Sequence, residues 1–226
     1  MTEVLKGVHH VDGSNANCYL VVEDNGALIL IDTGMQSDGK KILEYLPKLG
    51  RGPSDVKTIV LTHGHFDHVR GAAALKVATG GKVAVHEDDA DFVSGKAKYP
   101  PPGGAMGVAF RAMSPFFRTT PVEPDQRLKE GDKVGRLTVI HTPGHTPGSI
   151  SLFDEKARVL FVGDTVRFLN GKLEGPPPRF TLDMIRAKAS IERLASLNFQ
   201  VVLSGHGDPL KSEAAPTMMK DLLKSI

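Results

Sequence analysis

The stretch that decides the fold is Leu61-Thr62-His63-Gly64-His65-Phe66-Asp67-His68. Three imidazoles and one carboxylate fall within six residues, directly after the apolar and β-branched run 58–62, which predicts a buried strand. Neutral imidazole and carboxylate are ligands that zinc, manganese and iron accept. Gly64 permits a tight backbone turn that would aim several of these side chains in one direction. We therefore expect a metal-binding loop at the end of a strand.

Three later stretches also place a metal-type ligand beside a glycine after a predicted strand. They carry His145, Asp164 and His206, which follow the predicted strands 135–141, 158–162 and 201–204. Together with residues 63–68 they offer five histidines and two aspartates. That set is large enough for two metal ions with three or four protein ligands each.

The chain between these stretches alternates predicted strands with amphipathic helices. Near the N-terminus strands are predicted at 4–8, 17–22 and 27–32, the last two joined by a turn at 23–26. Helical spacing of apolar residues predicts helices at 37–49, 69–79, 182–197 and 213–224. Sheets with segregated helices indicate a layered α/β sandwich, and 226 residues with 40% hydrophobic content fit one domain spanning 1–226.

Three polar residues at predicted strand ends have roles that the pattern leaves open. Asp32 precedes Thr33-Gly34, so it either caps the next helix or supports a metal ligand from behind. His86 and His141 each end a strand. Because the ligand count closes without them, we expect them to be structural residues or to support the site indirectly.

Residues 95–121 interrupt the alternation with a proline and glycine cluster followed by methionines and phenylalanines. Such a long irregular stretch is uncommon in a compact domain unless it forms a lid or a binding segment. We interpret it as a substrate-facing lid in which Tyr99 and Phe116 contact the substrate. The alternatives are an ordinary packed segment or a homodimer contact built on the same apolar residues.

Composition argues against several kinds of partner. The formal charge is +2 without a run of like charge, tryptophan is absent and aromatic residues make up 6%, which disfavours nucleic acid. No apolar stretch approaches the ~20 residues that cross a bilayer. The polar N-terminus and the single cysteine, Cys18, fit a cytoplasmic protein. We expect a small-molecule substrate.

The order of the candidate ligands is similar to that of the metallo-β-lactamase superfamily. Its signature HxHxDH, followed by His, Asp and His, matches His63, His65, Asp67, His68, His145, Asp164 and His206. The motifs IDTG at 31–34 and TPGHTPGS at 142–149 extend the match over nearly the whole chain. The resemblance implies a four-layer αββα sandwich.

The resemblance also implies how two divalent ions would be held. His63, His65 and His145 would hold one ion, the trio of Asp67, His68 and His206 the other, and Asp164 would bridge them. Asp32 would support a ligand from behind. Zinc is the expected metal, with iron and manganese as alternatives.

A dinuclear hydrolase of this kind uses a metal-bridging hydroxide to attack an ester, thioester or lactone carbonyl, and Asp67 could orient that nucleophile or carry its proton. The ligand set resembles the hydroxyacylglutathione hydrolases (glyoxalase II), which cleave S-acyl thioesters. Only 20 residues follow His206, however, which is short for their glutathione-binding extension.

Two other subfamilies stay open as alternatives. N-acyl homoserine lactonases share the ligands but carry a tyrosine three residues after the bridging aspartate, where this chain has Arg167. We expect Arg167 to contact the substrate. Persulfide dioxygenases resemble the chain around the HxHxDH motif but use a single iron ion.

Overall fold

The computed structural model describes residues 2–11, 16–100 and 119–226. Phe116 and most of the predicted lid lie outside the described residues. Within these ranges the first sheet has seven strands in chain order: β1 (Thr2–Leu5), β2 (Val8–Val11), β3 (Cys18–Val22), β4 (Leu28–Ile31), β5 (Val56–Leu61), β6 (Lys82–His86) and β7 (Gln126–Leu128). Strands β1 to β4 pair antiparallel, and β4 to β7 pair parallel.

The second half of the chain supplies eight further strands. They are β8 (Lys133–Val134), β9 (Leu137–His141), β10 (Ile150–Asp154), β11 (Val159–Gly163), β12 (Arg167–Leu169), β13 (Lys172–Glu174), β14 (Val201–Ser204) and β15 (Leu210–Lys211). The second sheet has the order β15-β14-β11-β10-β9-β8, while β12 and β13 form a separate hairpin. The pair β11 and β14 is parallel, and the other pairs in this sheet are antiparallel.

The helices are short and lie on the outer faces of the sheets or in the loops at their edge. The described α-helices are α1 (Gln36–Tyr45), α2 (Phe66–Val69), α3 (Ala72–Thr79), α4 (Ala90–Val93), α5 (Met184–Leu194) and α6 (Ala215–Leu222). Asp183 caps α5 by accepting a hydrogen bond from the Arg186 backbone N–H at 2.9 Å. None of the described helices is long and apolar enough to cross a membrane.

Three clusters of buried apolar residues define the layers. Val21, Ile29 and Val60 of the first sheet meet Leu152 and Phe161 of the second in a core between the sheets. On the outer face of the first sheet, residues of β3 and β4 pack against α1 and α3. On the outer face of the second sheet, residues of β11 and β14 pack against α5 and α6. The predicted αββα sandwich is therefore confirmed.

Glycines explain two places where the elements differ from those predicted. The strand predicted at 4–8 is wrong, because the chain turns at Gly7, which has φ +74°, and separates β1 from β2. The helix predicted at 69–79 is divided near Gly71, whose N–H donates to the Gly34 carbonyl at 3.2 Å. A Cβ at Gly71 would lie 2.7 Å from the Thr33 carbonyl oxygen, so the chain passes too closely there for any side chain.

Parallel pairing brings the carboxyl ends of several strands to one edge of the sandwich. The strands β4, β5 and β6 end side by side in the first sheet, as β11 and β14 do in the second. Hydrogen bonds join the two sheets at this edge, from Ile150 N to Thr62 O at 2.9 Å and from Asn17 N to Gly205 O at 2.7 Å. The loops that carry the candidate ligands consequently meet there.

Candidate metal centre

The first group of ligands contains His63, His65 and His145. Their ligand nitrogens all lie within 4.8 Å of one another, although the residues come from two loops on different sheets. The ring centroids of His63 and His145 are 4.9 Å apart, and those of His65 and His145 are 4.6 Å apart. His63 and His145 are almost completely buried.

Two threonines fix the orientation of the rings in this group. Thr62 Oγ1 donates to Asp32, so the neighbouring His63 Nδ1, 3.1 Å away, is the donor to that hydroxyl. Thr181 Oγ1 likewise donates to the Pro177 carbonyl and accepts from His145 Nδ1 at 3.2 Å. Both rings therefore carry their proton on Nδ1 and present the Nε2 lone pair to the centre, as metal-binding histidines do. The sequence analysis did not identify Thr181.

The second group contains Asp67, His68 and His206. Nε2 of His68 and Nε2 of His206 face each other at 3.4 Å, and Asp67 Oδ2 lies 3.4 Å from the same His206 nitrogen. Asp67 and His68 belong to the short helix α2, which starts directly after His65. One turn of helix thus directs two donors toward the loop that follows β14.

Asp164 lies between the two groups. Its Oδ2 is 3.4 Å from Nε2 of His145 and 3.4 Å from Nε2 of His206, while its Oδ1 is 3.4 Å from Nε2 of His68. The carboxylate follows Gly163 at the end of β11 and its side chain is 9% exposed. The structure therefore brings all seven predicted ligands together around one small space.

Unpartnered atoms test whether these residues fit metal ions. Among the described residues, the buried atoms without a hydrogen-bond partner include His63 Nε2, His145 Nε2 and Asp164 Oδ1. Leaving a buried polar atom unpaired costs about 1–3 kcal/mol. The 3.4 Å separations quoted above are close to the ~3.3 Å between donors that ~2.0–2.1 Å bonds give in a tetrahedral zinc site. The donor set fits a divalent ion of the zinc type.

Protonation differs between the two groups. Burial lowers the pKa of His63 well below its usual range and, with His145 nearby, lowers the pKa of His65 to about 3. Burial opposes protonation of His206 as well, but the carboxylates of Asp164 and Asp67 raise its pKa to about 9. At pH 7 the histidines of the first group are therefore uncharged, whereas His206 in the second group carries an additional proton.

Asp32 supports the second group from behind. It accepts hydrogen bonds from Thr62 N at 2.7 Å, from Thr62 Oγ1 at 2.7 Å and from His68 Nδ1 at 2.8 Å. Helix α1 begins at Gln36 after Met35, so the alternative that Asp32 caps this helix is wrong. Asp32 has φ +56°, a left-handed conformation that is uncommon outside glycine.

Asp89 is a further buried carboxylate that the sequence analysis missed. It accepts hydrogen bonds from Gly64 N at 2.9 Å, from Thr146 Oγ1 at 2.7 Å and from Gly148 N at 2.8 Å. It therefore links the loop of His63 and His65 to the loop of His145. Its partners are 25, 57 and 59 residues away in the sequence, so no local pattern indicates them.

The loop of His206 is held by Asn17. The Asn17 side chain donates to Ser204 O at 3.0 Å and to Gly207 O at 2.7 Å, one on each side of the ligand. Gly205 leaves no room for a side chain, since an added Cβ would lie 2.6 Å from Cε1 of His68 and would also contact Asp164. Sequence reasoning used Gly205 as a strand-end signal but did not assign Asn17.

The three predicted substrate contacts are placed differently. Tyr99 lies beside the centre, with its ring 5.0 Å from that of His65 and stacked on Phe92 at 3.9 Å. Arg167 points to its cross-strand partner in the hairpin, and its Nη2 lies 2.9 Å from Oε2 of Glu174. Phe116 lies outside the described residues. All three substrate contacts stay predictions.

Known proteins resemble the chain in sequence. The model of the metallo-beta-lactamase superfamily matches residues 11–206. The chain is 36% identical to the probable metallo-hydrolase YflN of Bacillus subtilis, over 92% of this chain and 86% of that protein. It is 33% identical to the acyl-coenzyme A thioesterase MBLAC2 of Gallus gallus, over 68% of this chain and 58% of that protein. It is 25% identical to the hydroxyacylglutathione hydrolase GloC of Haemophilus influenzae, over 84% of this chain and 85% of that protein.

A solved structure agrees with this assignment. The structure of TTHA1623 in a di-iron-bound form superimposes with a TM-score of 0.70 at 30% identity, over 89% of this chain and 92% of that one. Fold, ligand order and sequence relatives therefore point in the same direction. The chain belongs to the metallo-beta-lactamase superfamily of metal-binding hydrolases.

Proposed function

We propose that the chain is a dinuclear metal-dependent hydrolase that cleaves the carbonyl of a small thioester or ester, with a lactone as the alternative substrate. The observation that carries this proposal is the convergence of seven donor side chains whose inward-facing atoms include three without a hydrogen-bond partner in the described residues. No single strand end supplies more than four of these donors, so their convergence is a property of the fold.

The charge of the site supports two ions rather than one. Asp32, Asp67 and Asp164 are buried or mostly buried, and none of the ion pairs they form within the described residues involves a lysine or an arginine. Within the described residues the cations that pair with these carboxylates are protonated histidines, which give up their protons when they bind metal. Two divalent ions would balance this negative charge. TTHA1623, described in a di-iron-bound form, is a relative in which two ions are held.

We propose that the ligands divide between the ions as the family resemblance implies, with His63 also lying within 4.8 Å of the ligand atoms of His68 and Asp164. His63, His65 and His145 would hold one ion, because a ring nitrogen of each residue lies within 4.8 Å of a ring nitrogen of the other two. The trio of Asp67, His68 and His206 would hold the other. Asp164, which is 3.4 Å from nitrogens of both groups, would be shared. We propose zinc as the metal, with iron and manganese as alternatives.

The chemistry follows from the ions and from the residues around them. When bound, divalent ions would lower the pKa of a coordinated water to about 7 and would polarise a substrate carbonyl. Burial opposes ionisation of Asp67, but the nearby His68 and His206 hold its pKa below its usual range. Its carboxylate is therefore charged at neutral pH and can accept a hydrogen bond that orients the attacking nucleophile.

The substrate class is supported by the relatives. MBLAC2 is named as a thioesterase and GloC as a hydroxyacylglutathione hydrolase. A thioester is therefore the first substrate to test, with the thiol left open between coenzyme A and glutathione. Arg167 occupies the position where lactonases carry a tyrosine, and its charge is paired with Glu174. This difference disfavours a dedicated lactonase.

The partner that we propose is a small molecule rather than nucleic acid or a membrane. The net charge is +2 and the sequence contains no run of basic residues. A homodimer remains a separate hypothesis, which sedimentation of the purified protein tests directly.

Acid release from a panel of substrates tests the proposed function. The panel contains an acyl-coenzyme A, an S-acylglutathione, an acyl homoserine lactone and an aryl ester. We expect acid release that is lost on chelation, restored by zinc, iron or manganese, and abolished in His63→Ala and Asp164→Ala. Asp91→Ala removes an exposed carboxylate paired with Arg127 and serves as the matched control. Oxygen uptake on a persulfide with one iron per chain, and no acid release, would replace the proposal with a dioxygenase.

A further inference from the structure

A second cluster of metal-type ligands shares no residue with the centre formed by the seven ligands. His86 ends β6, Asp88 lies in the helical turn 87–89, and His141 ends β9. Their ligand atoms all lie within 4.8 Å of one another. Asp88 Oδ2 is 3.8 Å from Nδ1 of His86 and 3.9 Å from Nε2 of His141. None of these residues has a role in the proposed hydrolysis.

We propose that His86, Asp88 and His141 form a separate binding site for one divalent transition-metal ion of the zinc, nickel or copper class, with water completing the coordination. Two imidazoles and one carboxylate are a ligand set that such ions accept. The side chains of His86, Asp88 and His141 are 5%, 49% and 21% exposed, so an ion can reach the site from solvent while one ligand is held rigidly in the interior.

The protonation of His86 favours an ion. Its Nδ1 accepts a hydrogen bond from the Asp88 backbone N–H at 3.3 Å, so this nitrogen carries a lone pair rather than a proton. Burial and the adjacent His141 lower the pKa of His86, which keeps the ring neutral at neutral pH. Lys129 and Arg193 form ion pairs with Glu87 and Glu130 respectively, so these cations are directed to other carboxylates.

Small movements would complete the site. The donor separations of 3.8 and 3.9 Å exceed by about half an ångström the ~3.3 Å expected in a tetrahedral zinc site. The rings of His86 and His141 are stacked at 3.9 Å and 14°, so their ring nitrogens lie side by side until one ring turns. His141 is the more exposed of the two, and Asp88 is free to follow it because it is half-exposed.

Two existing contacts compete with the ion. Nε2 of His141 lies 2.8 Å from the Pro147 carbonyl and would give up that hydrogen bond, at a cost of about 0.5–1.5 kcal/mol. The long contact between Asp88 N and His86 Nδ1 would be lost as well. We therefore expect this site to bind its ion more weakly than the seven-ligand centre, and to lose the ion when loosely held metal is removed.

Zinc titration of the full chain tests the proposal without reference to activity. The protein is loaded with zinc and desalted so that only tightly held ions stay, and further zinc is then added in a calorimeter. We expect wild type to bind one further zinc ion. Asp88→Asn and His141→Gln should each lower the affinity for that further ion by at least about tenfold. A loss of this size follows even when only a hydrogen-bond partner of a metal ligand is removed. Asp91→Asn, three residues from Asp88 and similarly exposed, is the matched control.

Nuclear magnetic resonance of the histidine ring nitrogens locates the added ion. The signals of His86 and His141 should shift on zinc addition in wild type and in Asp91→Asn. Equal further binding by all four proteins would place the ion elsewhere and overturn the proposal, as would the absence of further binding by wild type through the millimolar range. All four proteins should keep the tightly held ions after desalting. A difference in further binding then reports on the second cluster and not on the proposed hydrolase centre.

Discussion

Nδ1 of His68 donates a hydrogen bond to Oδ2 of Asp32 across 2.8 Å, and both side chains are inaccessible to solvent. This bond leaves Nε2 of His68 directed at His206 and Asp164. Asp32 reaches this position in a left-handed backbone conformation with φ +56°. Such a conformation costs about 1–3 kcal/mol and persists where surrounding contacts require it. Here the required contacts are those that aim a metal ligand.

Asp32→Asn should lower the affinity for the ion held by Asp67, His68 and His206. An amide oxygen cannot accept all three hydrogen bonds that the carboxylate accepts, so the His68 ring loses its fixed orientation. We expect a loss of about 10–100-fold in affinity for this ion. Equilibrium dialysis followed by metal analysis measures it, and Asp91→Asn should behave as wild type. Unchanged occupancy in Asp32→Asn would show that His68 does not need this support.

Asp89→Asn should lower the affinity for the ion held by His63, His65 and His145. Asp89 joins the backbone of Gly64 to the loop of His145 through Thr146 and Gly148. Because His65 and His145 lie on the two joined loops, we expect a loss of about 10–100-fold in affinity for the ion held with His63. The same dialysis experiment measures it. Loss from the Asp89 variant of the ion held by Asp67, His68 and His206, with the other ion retained, would contradict the division of ligands proposed here.

Zinc binding should release protons from one group only. The pKa of His206 is about 9, so at pH 7 an ion entering the second group displaces at least one proton. The pKa of His65 is about 3, so an ion entering the first group displaces none. The affinity of the second group should accordingly fall about tenfold for each pH unit below 9 per proton released.

Calorimetry on metal-stripped protein, in two buffers of different ionisation enthalpy, counts those protons. On saturation with zinc at pH 7, wild type should release at least one proton, and His206→Gln should release fewer protons than wild type. Equal release from both proteins would mean that the proton sits on another residue.

Gly205→Ala should disturb the centre while Gly52→Ala should not. A Cβ at Gly205 would lie 2.6 Å from Cε1 of His68, whereas a Cβ at Gly52 meets nothing within 4 Å. We expect Gly205→Ala to lose about 1–3 kcal/mol of unfolding free energy and to bind less metal, and Gly52→Ala to stay within about 0.5 kcal/mol of wild type. Chemical denaturation and metal analysis check both. Full metal content in Gly205→Ala would show that the loop can move aside.

The seven candidate ligands were predictable because each lies near a glycine close to the end of an apolar strand. Periodicity locates strand ends, and parallel pairing brings those ends to one edge of the sandwich. The grouping of ligands into two sets came from the family resemblance. His63, His65 and His145 form one cluster and Asp67, His68 and His206 another, while His63 also clusters with His68 and Asp164, so the division itself stays a prediction.

Asp89 and Thr181 could not be predicted in the same way. Asp89 acts on backbone N–H groups of residues far away in the sequence, and Thr181 orients a ring 36 residues before it. Contacts between residues so far apart along the chain produce no local pattern in the sequence. The division at Gly71 was hidden for a similar reason, because its cause is the close approach of Thr33.

Stepwise addition of zinc to metal-stripped protein tests the central claim most directly. Hydrolysis of an acyl thioester is measured after each addition, alongside the number of ions bound per chain. We predict that activity rises until two ions are bound to the seven-ligand centre and that His63→Ala stays inactive at any zinc concentration. Full activity with one ion per chain, or hydrolysis that persists after chelation, would contradict a dinuclear metal-dependent hydrolase.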